Sequence, residues 1–570
     1  MRTTTRLVVG LSLSMALAAC GLGAPAPAPE ALTDEPTTNE KNELVEVEPT
    51  GGGEAYEYDS AAEAEVMSLA PNGMYAPMDD FNTEEYDTIE EAGFVNVATK
   101  PLSTVSADVD TASYANIRRM LMDGYAVQDE EGPQTDETEE IVIDSYYYDS
   151  NLTIPTGAVR IEEMVNYFDY DYAAPTADAE FNVVSQIAAC PWNEDTQLLT
   201  LGFQTAPEDE SVSEAGRNLV FLIDISGSMD DPDKLPLLQS AFGELADQLT
   251  DKDTVSIVTY AAGEQVILDG ASGAEDRAIM RAIRSLEADG STNGEAGLKM
   301  AYDIAQDHFI KGGVNRIIMA SDGDLNVGMS SESDLHDFVD QKRATGIYLS
   351  VLGCGTGNYK DNKMETLADC GNGSYHYIDC EAEAKRVFRD RICQNLIPFA
   401  NDTKLQVEFN PANIKAYRLI GYENRAMADE DFKDDTKDAG EVGPDAQFTV
   451  LYELVPAGSD TEVADVPDLK YSSVKGDATT SELLTATVRY KSIAKDEVRE
   501  VEHVVDEKDI TKEPNQDFNL AAAVTEFGMI LRNSEFKGTS TYDSVRKLVG
   551  ETDNEQVTEF LELVDLAEKN

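Results

Sequence analysis

The sequence predicts an α/β core, a mostly parallel sheet with helices on both faces over residues 218–396, inserted into a flanking β-sandwich that carries extra helices. Three observations predict it. From Asn218 to about Leu396, apolar strand runs alternate with amphipathic helical runs, the pattern of successive βα units. Two strand-like runs precede that stretch, at 181–187 and 198–203, and five follow it, at 405–409, 416–422, 447–455, 482–490 and 498–505. The later runs are patterned as antiparallel strands, so the earlier pair is expected to join them in one sandwich. The central domain would then be an insertion with its two ends close together.

Taken in order, the chain opens with Arg2 and Arg6 before a short apolar run over 7–18. A membrane-spanning helix needs about 20 apolar residues, so this run has the form of a signal peptide, 1–19. It ends Leu17-Ala18-Ala19-Cys20, which looks like the lipobox of bacterial lipoproteins. That resemblance implies acylation, palmitate included, at Cys20 and a membrane held through the lipid alone. Residues 20–100 read as a disordered spacer: Ala and Pro alternate over 24–29, then Glu, Thr, Gly and Ala dominate. The folded part is expected from Pro101. A helix over 111–122 places Tyr114, Ile117, Met120 and Leu121 on one side, and an acidic loop over 128–157 and a helix over 159–168 follow, in a segment spanning 101–210.

Within 218–396 the expected strands are 219–223, 255–260, 316–320, 347–352 and 374–378, with a short antiparallel edge at 265–268. Helices are expected at 234–249, 274–288, 294–309, 332–345 and 362–369, and one continuous helix over 380–396 closes the domain. The β-rich region spans 401–510 with a loop at 457–480. The helical tail, 515–570, carries helices at 518–531, 541–549 and 555–568.

Composition limits the function. With 43 basic against 110 acidic residues, a net charge of -67, the surface would repel nucleic acid. Only four histidines are present, and HExxH, Gly-x-Ser-x-Gly and Walker A patterns are absent, which argues against zinc-hydrolase, Ser-His-Asp and nucleotide chemistry. The carboxylate-rich run 429–438 lacks EF-hand spacing and reads as an acidic loop. Beyond Cys20 stand Cys190, Cys354, Cys370, Cys380 and Cys393. The last four cluster, their pairing stays open, and Cys190 is the expected odd one out.

The chemistry concentrates at the end of the first central strand. Phe221-Leu222-Ile223 runs directly into Asp224-Ile225-Ser226-Gly227-Ser228, placing one carboxylate and two hydroxyls where open α/β sheets bind ligands. Two other loops offer oxygen as well: Thr292 in Gly290-Ser291-Thr292-Asn293, and Asp322 in Ala320-Ser321-Asp322-Gly323. Hard cations such as Mg²⁺ take about six oxygens and usually keep waters, so this set would leave a position open. Asp324 and Glu295 lie beside it, as solvated carboxylates near helix starts or as groups tuning the ion from outside its ligand sphere.

These residues resemble the metal-ion-dependent adhesion site of von Willebrand factor type A (VWA) domains, a Rossmann-like, doubly wound fold. The resemblance implies Mg²⁺ or Mn²⁺ held by Asp224, Ser226, Ser228, Thr292 and Asp322, with a partner's acidic side chain completing the sphere. It extends to a family of bacterial VWA lipoproteins through 108–116 (DVDTASYAN), 159–168 (VRIEEMVNYF), 190–193 (CPWN), 417–425 (YRLIGYENR) and 526–529 (EFGM). The expected function is therefore an envelope lipoprotein on the extracytoplasmic face of a membrane. It would capture a protein partner through the metal, and would not act as an enzyme. The alternatives are an envelope scaffold or assembly factor, in which the metal is secondary, and a metal-assisted hydrolase.

Overall fold

The computed structural model describes residues 83–128, 154–176, 179–207, 215–290, 294–323, 332–463, 476 and 479–569. The signal peptide, Cys20, most of the spacer and the acidic loop expected at 128–157, apart from its two ends, lie outside them.

The central domain is a six-stranded sheet. Its strands are β5 (Arg217–Asp224), β6 (Thr254–Tyr260), β7 (Glu264–Ser272), β8 (Val314–Ser321), β9 (Tyr348–Cys354) and β10 (Tyr375–Ile378), in the order β10-β9-β8-β5-β6-β7. All neighbours are parallel except β7, the expected antiparallel edge. Residues of β5 alternate between two cores. Leu219, Phe221 and Ile223 pack with helix Leu235–Ala246, while Val220 and Leu222 pack with helix Gly294–Asp307. Burial on both faces is why these strands read as continuous apolar runs.

The flanking strands form the expected sandwich. One sheet runs β1 (Val95–Asn96), β12 (Ile414–Ile420), β14 (Gln447–Pro456), β4 (Gln197–Thr205), β3 (Phe181–Ala189). The other runs β13 (Gly440–Val442), β11 (Ala400–Phe409), β15 (Glu482–Ser492), β16 (Glu497–Asp506), with β2 (Leu102–Ser106) also on β11. Register pairs such as Val450 with Leu201 join strands from the two sides of the central domain in one sheet. The insertion's ends meet at one turn: Asp445 N–H donates to Ala206 O (2.9 Å), and Gln394 Nε2 donates to Asp445 O (2.8 Å). Along β4, Leu199, Leu201 and Phe203 face the second sheet. Leu198 instead faces a helical layer built from Ala112–Gln128, Ile161–Asn166 and the C-terminal helices Gln516–Leu531, Tyr542–Val549 and Glu555–Lys569.

Two expectations are corrected, and the open cysteine pairing is narrowed. The spacer expected to run to residue 100 ends sooner, since Thr83–Asp87 hydrogen-bonds to the 357–362 stretch and Val95–Asn96 pairs with β12. Backbone hydrogen bonds, more than apolar burial, hold this polar segment, so hydropathy misses it. The single helix expected over 380–396 is broken into Glu381–Lys385, a π-helical turn Arg386–Asp390, and Ile392–Leu396. The wide turn lets Arg386 and Arg391, five residues apart, both donate to Tyr167 O, at 2.9 and 3.3 Å. The thiols of Cys190, Cys354, Cys370 and Cys380 are unlinked, so the clustered Cys354, Cys370 and Cys380 form no bridge with one another. Burial raises all four thiol pKa values, Cys190 to about 12.

The family landmarks gather on one flank of the central domain. Arg160 binds the carboxylates of Glu163 and Asp361, and Arg425 binds Glu365 (3.2 Å) and Asp369 (2.5 Å) with Asp108 and Asp110 nearby. Arg118 binds Asp379 (2.6 Å), Glu383 (2.9 Å) and Glu559 (3.0 Å). Asp361, Glu365, Asp369, Asp379 and Glu383 belong to the inserted domain, and the three arginines to the body around it. Trp192 is core, 1% exposed, with its indole N–H on Glu453.

Candidate functional site

β5 leads on to β6 on one side and its other neighbour β8 leads on to β9 on the opposite side, so the connections from these two adjacent carboxyl ends leave in opposite directions. The crevice this opens is where a doubly wound sheet binds ligands. Asp224 ends β5 and Asp322 follows β8 directly, both fully buried. Three backbone bonds fix the loop after β5: Ile225 N–H to Tyr260 O (3.1 Å), Asp289 N–H to Ile225 O (2.8 Å) and Gly227 N–H to Gly290 O (3.0 Å). Gly323, at φ +91°, lies so close to Lys360 that an added Cβ would come within 2.4 Å of its backbone nitrogen. That contact keeps the Asp322 loop against the loop after β9.

Four of the five expected ligands come together. The Asp224 carboxylate accepts from Ser226 N–H (2.9 Å) and from the Ser321 hydroxyl (3.1 Å). Ser226 Oγ lies 3.2 Å from Ser228 Oγ, which donates to Asp322 Oδ2 at 2.7 Å. Ser226 is buried and Ser228 exposed, so the chain of oxygens leads from the core to the surface. Thr292, the fifth, lies outside the described residues, as does Asp324. Glu295 sits in the first turn of helix Gly294–Asp307, partly exposed and paired with Lys299.

Two participants carry no sequence signal. Lys234 Nζ lies 3.3 Å from Asp322 Oδ2, and the Asn358 amide donates to the same oxygen at 3.1 Å. Asn358 belongs to the loop after β9, along which the N-terminal segment is laid. Thr83 N–H donates to Gly357 O (2.6 Å), Glu85 N–H to Tyr359 O (2.9 Å), and Gly357 N–H to the Glu84 carboxylate (2.9 Å).

The donor set is entirely oxygen, two carboxylates and two hydroxyls from two loops, and so fits a hard divalent cation. Burial first, then the neighbouring Asp322 charge, pushes the Asp224 carboxyl up to about 6, against the hydrogen bonds from Ser226 and Ser321. A buried carboxylate served only by neutral donors is one that a cation would hold ionised.

The parallel sheet, its switch point and the loops that meet there define a VWA-domain protein. The von Willebrand factor type A domain model matches residues 218–390, a von Willebrand factor model matches 80–152 and 142–200, and the model "Uncharacterized protein YfbK, C-terminal" matches 394–569. Over 530 residues the chain is 36% identical to Uncharacterized protein YfbK of Escherichia coli (strain K12), covering 90% of this chain and 85% of that one. It therefore belongs to the YfbK family of VWA proteins. It is also 28% identical over 182 residues to Inter-alpha-trypsin inhibitor heavy chain H3 of Mesocricetus auratus, covering 30% of this chain and 19% of that one. Among solved structures, von Willebrand factor type A from Catenulispora acidiphila is similar at 16% identity and a TM-score of 0.38, covering 68% of this chain and 89% of that one. The VWA domain points to a role in protein interaction or adhesion. Among the described residues no helix is long and apolar enough to cross a membrane.

Proposed function

We propose that the chain is an envelope lipoprotein, acylated at Cys20 on the extracytoplasmic face of a membrane, that captures a protein partner through a divalent cation in its VWA domain. Asp224, Ser226, Ser228, Thr292 and Asp322 would hold Mg²⁺ or Mn²⁺. The observation that carries this reading is the cluster at the sheet's switch point, where Asp224 accepts from Ser226 N–H, Ser226 Oγ meets Ser228 Oγ, and Ser228 Oγ donates to Asp322. When bound, the ion supplies positive charge and an open coordination position on a chain of net charge -67. The residues position that ion: Asp224 from the core, the serines from the turn, Asp322 from across the crevice. An acidic side chain of the partner could then approach without facing bare repulsion. The role proposed is binding, not catalysis.

Calorimetric titration of Mg²⁺ and Mn²⁺ into the full chain, beside Asp224→Ala, tests the metal. A saturable site present in the parent and lost in the variant supports the reading. Identical titrations would overturn it, because the acidic surface binds divalent ions weakly everywhere.

The scaffold reading draws support from a different observation, the buried arginine–carboxylate network that locks the VWA domain onto its flanking body. In that reading partner capture survives both chelation and Asp224→Ala.

A further inference from the structure

Lys234 is an unusual neighbour for a cation site. Its side chain is 5% exposed, and its ammonium meets Asp322 Oδ2 and Asn358 Oδ1, each at 3.3 Å, with the exposed Asp231 farther off at 3.9 Å. The stem lies across Gly355, where φ is +77° and an added Cβ would come within 2.4 Å of Lys234 Cγ and Cε. Glycine thus leaves room for the lysine while taking a backbone conformation other residues resist. Asn358 ties the arrangement together, its amide oxygen accepting from Lys234 while its amide nitrogen donates to Asp322. Asp322 Oδ2, the oxygen that Ser228 also reaches, therefore already has a positive charge against it.

We infer that Lys234 is a built-in counter-cation that competes with the divalent ion for Asp322. The inference rests on the metal reading above. Without the ion, the ammonium sits against this buried carboxylate. An ion entering among Asp224, Ser226 and Ser228 meets that ammonium one carboxylate away. Two like charges so close, with little water between them, oppose each other strongly. Metal loading and loosening of Lys234 from Asp322 are then one event. The site is weak by construction, and loads fully when something else, such as a partner's carboxylate, adds negative charge.

The test uses the full chain as parent, Lys234→Met, Lys234→Arg and Asp224→Ala, with Mg²⁺ affinity read by calorimetry and midpoints of thermal unfolding read with and without Mg²⁺. Methionine keeps an unbranched apolar stem over Gly355 and removes the charge. Lys234→Met should bind Mg²⁺ at least roughly tenfold more tightly than the parent. It should also melt earlier without metal and gain more from Mg²⁺. Lys234→Arg, which keeps the charge, should bind within about threefold of the parent. Should Lys234→Met fold poorly, Asn358→Ala on its half-exposed loop loosens the same ammonium and should tighten binding by a smaller factor. A parent that shows the Asp224-dependent site, with Lys234→Met or Asn358→Ala binding no more tightly, overturns the counter-cation while leaving the metal site standing. A parent indistinguishable from Asp224→Ala overturns both.

Discussion

The two polar regions of the VWA domain handle buried charge in opposite ways. On the flank, carboxylates are matched against arginines: Arg160, Arg425 and Arg118 each hold two or more acids by short, mostly buried contacts. At the loop end, Asp224 accepts from a backbone N–H and a hydroxyl, and Asp322 accepts from Ser228, Lys234 and Asn358. A buried ion network completed within the chain fixes one arrangement, and removing one member leaves its partners stranded. In the proposed function the oxygens at the loop end are instead completed from outside, by the ion. The flank is therefore read as the joint that holds the domain, and the loop end as the place where it binds.

Substitutions should separate the two. The largest effect is expected from Arg160→Ala, which strands Glu163 and Asp361 in the interior and should cost about 3–5 kcal/mol in urea unfolding. A loss under about 1 kcal/mol would mean the flank is not a matched joint.

Next comes acid sensitivity from His376, on β10 beside the flank. Among the described residues neither of its ring nitrogens has a hydrogen-bond partner, and burial first, then Arg386, holds its pKa down at about 3. Histidine in the unfolded chain takes up its proton near pH 6.5, so the neutral fold loses stability as pH falls from about 6.5 towards 3. At pH 5 the loss is about 2 kcal/mol. Glu163, pushed up by burial against the pull of Arg160, acts in the other direction, favouring the fold as pH falls. The informative quantity is therefore the difference between parent and His376→Phe, whose stability should fall less steeply below pH 6.5. Parallel pH profiles would show that His376 is protonated in the fold.

At the loop end, Asp224→Asn should change metal-free stability by only about 1 kcal/mol or less in either direction while abolishing saturable Mg²⁺ binding. A loss as large as that of Arg160→Ala would make Asp224 structural and erase the contrast. The smallest effect is expected from Glu295→Gln. Its pair with Lys299 is exposed, so the change should cost about 0.3–0.5 kcal/mol and leave Mg²⁺ affinity within about threefold. A larger drop in affinity would bring Glu295 into the site.

Periodicity made the elements legible wherever burial is two-sided or amphipathic, as in β5, β8 and the tail helices. The strand ends, the Asp-x-Ser-x-Ser run and the resemblance to VWA domains together singled out Asp224, Ser226, Ser228, Thr292 and Asp322, of which Thr292 lies outside the described residues. Lys234 and Asn358 were not legible: each is a single polar residue in a turn, brought to Asp322 only by the folding of separate βα units. The flank was hidden for a related reason. Charged side chains on a short helix carry no sign of burial, yet Arg160, Glu162 and Glu163 are all buried. The helix Ala112–Gln128 showed the Tyr114–Ile117–Leu121 face but concealed that Ala112 and Ala115 on its other side pack against the VWA core.

The most direct measurement is anomalous diffraction from crystals of the full chain grown with Mn²⁺. A peak in direct contact with Ser226 and Ser228, with Lys234 drawn away from Asp322, is the expected result. Crystals saturated with Mn²⁺ that show no peak there, with the ammonium still seated on Asp322, would contradict the account.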